Sequence, residues 1–71
     1  MAKVYSNMAG TVWKVLVKAG DQVESDQTLI ILESMKMEIP ILAEQNGTVK
    51  EVKVSEGDFV NDGDVLVDIE E

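Results

Sequence analysis

The chain has no cysteine and no histidine among its 71 residues. Without cysteine it can form no disulfide, no thiolate nucleophile and no cysteine metal site. Without histidine it lacks the commonest general base and the commonest transition-metal ligand. The acidic residues are scattered over turn-like segments, so no nucleophile–base pair can be assembled from them. We therefore expect a protein that is not an enzyme and that holds no metal.

Positive charge is also scarce, since six lysines stand against fourteen acidic residues and the net charge is −8. Phosphate backbones and anionic membranes repel such a surface, which disfavours nucleic-acid and membrane partners. No apolar run has the length of a membrane-spanning helix and no signal peptide is visible, so we expect a cytoplasmic protein. The negative charge favours solubility, and it could also steer the protein toward partners with basic clefts.

The chain is also short, and it has no long segment with helical periodicity. A chain of 71 residues can hold only one core, so we expect a single domain over residues 1–71. Helical periodicity lasts nowhere beyond one turn, whereas β-branched residues are frequent. This pattern predicts an all-β chain of seven or eight short strands.

The sequence repeats itself with a constant offset of 37 residues. Gly-Thr-Val at 10–12 recurs at 47–49, Gly-Asp at 20–21 recurs at 57–58, and ten of the twenty-four pairs that align 10–33 with 47–70 are identical. Chance would give about one or two identities. Two related halves predict a single core with a pseudo-twofold axis.

The second copy of the repeat helps to assign the faces of the strands. The run 29–32 is entirely apolar and therefore ambiguous, but the matching run at 66–69 contains Asp68. Successive side chains of a strand point to opposite faces. We therefore expect Ile30 and Leu32 to face the core, and Ile31, which aligns with Asp68, to face outward.

A spacing of three between Val12 and Val15 breaks the period of two and predicts a bulge near 13–14. The repeat predicts the same bulge near 50–51. Because Trp13 aligns with Lys50, we expect the tryptophan to be only partly buried.

Two turns and one proline give further expectations. Gly63 lies in a turn that we expect to need positive φ, and its counterpart in the first half is Asp26, a residue that tolerates this conformation. Pro40 cannot donate a backbone hydrogen bond, so it must lie on an edge strand or at a non-bonded position.

Residues 33–38 lie between two apolar runs, 29–32 and 39–42, which have the length and composition of buried strands. Two strands with so few residues between them predict a hairpin with an exposed tip at Lys36. The segment could be merely a turn, but methionine is a poor turn residue, and exposed methionines suit a surface that another protein reads. We interpret Lys36 as a lysine presented for covalent modification.

Glu-Ser-Met-Lys-Met-Glu at 33–38 resembles the biotin-attachment motif of biotin carboxyl carrier domains, whose core is Met-Lys-Met. The Gly-Thr-Val starts, Gly-Asp turns and hairpin strands extend this resemblance over nearly the whole chain to the biotinyl/lipoyl attachment domains. Small bacterial biotin/lipoyl attachment proteins are the most similar members. The resemblance implies a flattened β-barrel (barrel-sandwich hybrid) of two four-stranded antiparallel sheets related by a quasi-twofold axis.

The resemblance also implies a function. Lys36 would carry covalent biotin, attached by a biotin protein ligase, and would shuttle carboxyl groups between biotin carboxylase and carboxyltransferase sites. Met35 and Met37 would be read by the ligase, and the flanking hairpin residues would be Glu33, Ser34 and Glu38.

Two departures from the family pattern and two alternatives remain at this point. Ser34 replaces the more common alanine, and Asp26 replaces a common glycine. The related lipoyl domains typically have Asp-Lys-Ala at the tip, which favours biotin over lipoate here. The alternatives are a lipoyl carrier on the same lysine, served by a lipoyl ligase, and an unmodified acidic interaction module.

Overall fold

The computed structural model describes residues 2–70, and these form eight β-strands without any helix. The strands are β1 (Ala2–Tyr5), β2 (Gly10–Val15), β3 (Gln22–Val23), β4 (Thr28–Ser34), β5 (Met37–Leu42), β6 (Gly47–Val52), β7 (Phe59–Val60) and β8 (Val65–Glu70). The all-β prediction with seven or eight short strands is confirmed.

The strands form two antiparallel sheets of four strands each. The first sheet has the order β1-β8-β6-β3 and the second has the order β5-β4-β2-β7. Every pair of neighbouring strands is antiparallel. The two-sheet architecture expected from the resemblance is therefore confirmed.

The repeat in the sequence is also a repeat in the strand pairing. In the second sheet β4 pairs with β5 through Ile30 and Ile41, and in the first sheet β8 pairs with β1 through Val67 and Val4. Each position differs from its counterpart by 37 residues. The β4–β5 hairpin is thus equivalent to the β8–β1 pair, whose strands belong to the two ends of the chain.

The core lies between the sheets and is built from side chains of both halves. Ile30 and Leu32 are fully buried, as the repeat predicts. Ile31 is half-buried and pairs with the exposed residues Lys14 and Pro40, in agreement with its expected outward orientation. The buried hydrophobic residues are Val4, Val12, Val17, Val23, Leu29, Ile30, Leu32, Ile41, Ala43, Val49, Val60, Leu66, Val67 and Ile69.

Strict alternation fails at Leu29 and Leu66, which are buried although their neighbours Ile30 and Val67 are buried too. The β4–β5 register shifts between Thr28 and Ile30, and the β8–β1 register shifts at the matching place. A bulge there lets two consecutive side chains point inward.

The bulges predicted from the valine spacing are confirmed. The β2–β4 register shifts between Val12 and Lys14, and the β6–β8 register shifts between Val49 and Glu51. Trp13 lies at the first of these bulges and is 41% exposed, in agreement with the expectation of partial burial.

The turn and proline predictions are confirmed as well. Gly63 has a φ of 93° and Asp26 has a φ of 71°, so both matching turns use the left-handed region. Pro40 lies on β5, an edge strand, where its missing N–H breaks no interior ladder.

Candidate functional site

The β4–β5 hairpin closes with a loop of two residues. Ser34 at the end of β4 pairs with Met37 at the start of β5, and only Met35 and Lys36 lie between them. Their φ angles are 52° and 64°, and positive φ at both central residues is what a type I′ turn requires. Asparagine and glycine usually fill such a turn, so methionine and lysine here hold an unfavourable backbone conformation.

The strands below the tip hold this turn in position. β4 lies between β5 and β2 in the second sheet, and its residues Ile30 and Leu32 are anchored in the core. Since one face of the hairpin is buried, its register is strongly specified. The tip is therefore a fixed projection from a packed sheet.

Lys36 is exposed at the tip of the hairpin. Within residues 2–70, it takes part in none of the ion pairs or side-chain hydrogen bonds. Met35 and Met37 are 91% and 62% exposed. The lysine amine is thus accessible, and the residues on either side of it in the chain are exposed, flexible methionines.

Two carboxylates lie at the base of the turn. Glu33 on β4 is directly opposite Glu38 on β5, and both side chains are exposed. Like charges directly opposite each other destabilise a sheet. The hairpin therefore carries two unfavourable features close to Lys36, the left-handed turn and this pair of like charges.

Gly10 is a residue of the site that the sequence reasoning missed. A Cβ at this position would lie 3.0 Å from the backbone oxygen of Glu33 and 3.5 Å from Cβ of Ser34. The absence of a side chain lets β2 approach the upper end of β4. The sequence contained a signal for this contact, because glycine also stands at the matching position of the second repeat, Gly47. In the structure Gly47 meets the end of β8 in the same way.

No group of three or more acidic side chains in residues 2–70 is arranged to hold a metal ion. No helix in this part of the chain is long and apolar enough to cross a membrane. The exposed amine of Lys36 at the tip of the hairpin is the candidate functional group.

Comparison with known proteins identifies the class to which this fold and hairpin belong. The family model described as "Biotin-requiring enzyme" matches residues 2–69. The chain therefore belongs to the biotin/lipoyl family.

Individual relatives agree with this assignment. The chain is 68% identical over 62 residues to the biotin/lipoyl attachment protein of Bacillus subtilis, covering 87% of this chain and 85% of that protein. It is 53% identical over 62 residues to the biotin carboxyl carrier protein of Streptococcus mutans, covering 87% of this chain and 48% of that protein.

A solved structure extends the similarity to three dimensions. The urea carboxylase of Kluyveromyces lactis superposes with a TM-score of 0.90 at 35% identity, covering 96% of this chain and 6% of that one. This chain thus spans most of the attachment protein, about half of the carrier protein and a small part of the carboxylase.

Proposed function

We propose that the protein is a non-catalytic carrier, a single domain over residues 1–71, that holds biotin through an amide on Nζ of Lys36. The observation that carries this proposal is the two-residue left-handed turn that presents Lys36, beside Met35, at the tip of an anchored hairpin. Membership of the biotin/lipoyl family and the similarity to a biotin carboxyl carrier protein support it.

The residues present fit a covalently attached carboxylic acid. The amine of Lys36 is exposed and has no partner among residues 2–70 that would compete with acylation. The left-handed turn and the anchored strands hold the lysine away from the body of the domain. An attached group could therefore enter a cleft of another protein without disturbing the core.

Acylation of Lys36 requires an activated donor. The amine is protonated near neutral pH and must lose a proton before it can act as a nucleophile. A biotin protein ligase would supply the activated acyl group; the bond from Nζ to the acyl carbon forms, and the bond from that carbon to its leaving group breaks. Because the amide is neutral, the net charge of the protein falls from −8 to −9.

Met35 and Met37 have a role in recognition in this proposal. Both side chains are largely exposed, so they contribute little to the core. Exposed methionines form an adaptable apolar surface, which a ligase could read on either side of the lysine. Glu33, Ser34 and Glu38 complete the hairpin from which that surface projects.

The partners in this function are a biotin carboxylase and a carboxyltransferase. Held on Lys36, biotin would supply the chemistry by which a carboxyl group is carried from the first of these enzymes to the second. The contribution of the chain is to keep the group tethered, so that it meets both sites at a high effective concentration without being released. The chemistry itself belongs to the cofactor and to the enzymes that it visits.

The first test is the substitution Lys36→Arg, which keeps the positive charge but removes the acylable amine. After co-expression with a biotin protein ligase, we expect streptavidin to capture the parent protein and not the variant. Lys14→Arg is the control, since it changes another exposed lysine, and it should leave capture unchanged. Capture of the Lys36→Arg protein would show that another lysine is modified.

Lipoate is a second candidate because one relative belongs to the lipoyl branch of the family. The chain is 42% identical over 64 residues to the dihydrolipoyllysine-residue acetyltransferase component of pyruvate dehydrogenase complex of Pseudomonas aeruginosa, covering 90% of this chain and 12% of that protein. The intact mass of the protein from its native source distinguishes a biotinyl adduct, a lipoyl adduct and the unmodified chain. The unmodified mass would favour an acidic interaction module.

A further inference from the structure

The two halves of the repeat differ most on the outer faces of their sheets. The outer face of the first sheet carries an ionic network around Asp68, which is only 6% exposed. Nζ of Lys3 lies 3.1 Å from one carboxylate oxygen of Asp68, and Nζ of Lys53 lies 3.9 Å from the other. Lys53 also lies 2.9 Å from Glu51. Partners within the domain thus satisfy the charges on this face.

The equivalent positions of the second sheet are apolar. With the repeat offset of 37 residues, Ile31 aligns with Asp68, Leu16 aligns with Lys53 and Pro40 aligns with Lys3. Where the first half has Trp13, the second has Lys50. Where the second half has Phe59, the first has Gln22. We call Trp13, Leu16, Ile31, Pro40 and Phe59 the apolar face.

The register of the second sheet brings these side chains to one surface. Ile31 pairs with Pro40 on one side and with Lys14 on the other. Leu16 corresponds by the repeat to Lys53, which contacts Asp68 and Glu51, the counterparts of Ile31 and Lys14. Trp13 lies beside Lys14, whose Nζ is 5.3 Å from the centre of the indole ring. Phe59 pairs with Thr11, whose side chain is also exposed. The members of the apolar face therefore lie on the outside of the sheet that carries Lys36, with the exposed polar residues Lys14 and Thr11 among them.

The exposure of this face has no structural benefit within the domain. Leu16 is 51% exposed and Phe59 is 65% exposed, although polar residues at the matching positions are compatible with the same fold. Single exposed apolar residues are ordinary, but several of them on one surface are typical of an interaction site. Aromatic residues are enriched in protein–protein interfaces, and this face contains two of the three aromatic residues of the chain.

The border of the face indicates the chemistry of the partner. Glu33 and Glu38 lie opposite each other on the same outer surface. Glu33 also pairs with Thr11, which pairs with Phe59, so the two carboxylates lie in one row with Phe59 and next to the row that contains Ile31. Neither takes part in an ion pair within the part of the chain that the structure describes. A partner that brings a lysine or arginine to this pair would relieve the repulsion between the two carboxylates.

We propose that the apolar face is the docking surface for the biotin carboxylase that the group on Lys36 enters, an inference that rests on the proposed function. The matching surface of that enzyme is apolar at its centre and has a basic group opposite Glu33 and Glu38. A second copy of this chain fits less well, because each copy has a net charge of −8 and brings the same carboxylates. Docking through this face and entry of the Lys36 group occur on the same side of the domain.

The test compares variants of the biotinylated protein as substrates of purified biotin carboxylases. Leu16→Gln/Phe59→Gln removes two exposed side chains of the apolar face without changing the charge. Gln22→Ala/Thr48→Ala is the control on the first sheet, where Gln22 is the repeat counterpart of Phe59 and Thr48 is the counterpart of its strand partner Thr11. The counterpart of Leu16 is Lys53, which is left unchanged because it belongs to the ionic network. Biotinylation of each variant is first confirmed by intact mass, and activity on free biotin serves as an internal standard.

We expect the apolar-face variant to raise the KM for the protein by about tenfold with little change in kcat, because interface aromatic residues contribute strongly to binding. The control should retain the parental KM. Glu33→Gln/Glu38→Gln should raise KM at low salt and weaken its dependence on salt, since these carboxylates attract the basic group.

The outcomes separate this inference from the proposed function. If the parent is biotinylated and carboxylated but the apolar-face variant has an unchanged KM, the docking surface is refuted and the carrier function stands. If the biotinylated parent is no better a substrate than free biotin for every carboxylase, the carrier function is refuted and the inference with it. A parental dimer that the Leu16→Gln/Phe59→Gln substitutions dissociate would show that a second copy occupies the face, which also overturns the proposal.

A spectroscopic readout gives independent evidence. Trp13 is the single tryptophan of the chain, so labelling with fluorotryptophan places one ¹⁹F reporter on the apolar face. Titration with unlabelled biotin carboxylase should shift or broaden this resonance in a saturable way. A resonance that stays unchanged while the enzyme is saturated with the protein would contradict docking through this face.

Discussion

Met35 and Lys36 are the two central residues of one hairpin turn, and both have positive φ, 52° and 64°. Neither residue favours this conformation, which costs an L-residue with a side chain roughly 1–2 kcal/mol. The packed strands on either side supply the stability that holds the turn. The residue types at the tip therefore lower stability, and in the proposed function this strain accompanies the presentation of the lysine, as is typical of strained functional sites.

Replacing Met35 by glycine should therefore stabilise the domain. We expect Met35→Gly to raise the free energy of unfolding by about 1 kcal/mol, because glycine adopts positive φ without a steric penalty. Urea unfolding followed by circular dichroism measures this change. Met37→Gly is the control and should lower stability, since Met37 lies within β5. The rate of biotinylation should fall for both variants, and an unchanged rate would refute the role of the methionines in recognition.

The two matching turns at Gly63 and Asp26 should respond differently to substitution. Gly63→Val should destabilise the domain by about 2 kcal/mol, because a β-branched residue is strained at a φ of 93°. Nothing lies within 4 Å of a Cβ at Gly63, so this cost arises from the backbone alone. Asp26→Gly should be tolerated, since glycine readily adopts a φ of 71°. A Gly63→Val protein that melts at the parental temperature would contradict the observed turn.

Gly10 and Gly47 allow a comparison of matching close contacts. Gly10→Ala should destabilise the domain by about 1–3 kcal/mol, because its Cβ would press on the backbone oxygen of Glu33 at 3.0 Å. Gly47→Ala should also be destabilising, since its Cβ would lie 2.8 Å from the backbone oxygen of Glu70. Biotinylation assayed well below the melting temperature of both variants should be slowed only by Gly10→Ala, which disturbs the end of β4. Equal rates would mean that Gly10 has no role in positioning the tip.

The ionic network of the first sheet predicts a loss of stability at alkaline pH. The hydrogen bond and charge of Glu51, and to a lesser extent the charge of Asp68, raise the pKa of Lys53, although partial desolvation opposes them. Because this pKa is higher in the folded state, the stabilisation is complete below the ordinary lysine pKa of about 10.4 and is lost as pH rises through the folded value. The difference in unfolding free energy between the parent and Lys53→Met should therefore shrink only above that pH.

Urea unfolding from about pH 8 to about pH 11 measures this dependence. Glu51→Gln is the second variant, since it removes the charge that contributes most to the higher pKa of Lys53. In this variant the stabilisation that Lys53 provides should be lost at a lower pH than in the parent. If the free energy of unfolding of the parent exceeds that of Lys53→Met by the same amount across this pH range, the network is refuted as a source of stability.

Much of the fold was predictable because it depends on local rules and on the repeat. The spacing of Val12 and Val15 predicted the bulge at Trp13, and the alignment with Gly63 predicted positive φ at Asp26. The candidate site at Lys36 was predictable because two apolar runs separated by a short polar segment form a hairpin. The left-handed conformation of Met35 was not predictable, since methionine does not favour it.

Other features depended on contacts between distant parts of the chain. Alternation predicted that one residue of the pair Leu29 and Ile30 would face outward, but a shift in register against β5 buries both. A side chain that faces outward can still be buried when the long side chains of neighbouring residues cover it. Lys3 and Lys53 cover Asp68 in this way.

The sequence by itself determined the repeat, the strands, the turns and the position of Lys36 at a tip, because these follow from residue periodicity and backbone preferences over short distances. Only the tertiary structure decided which side chains meet across the sheets. Lys3 contacts Asp68, which is 65 residues away, and the register of β2 against β4 brings Gly10 against Glu33. Such contacts depend on how the strands are ordered and aligned in the sheets, and no local pattern contains that information.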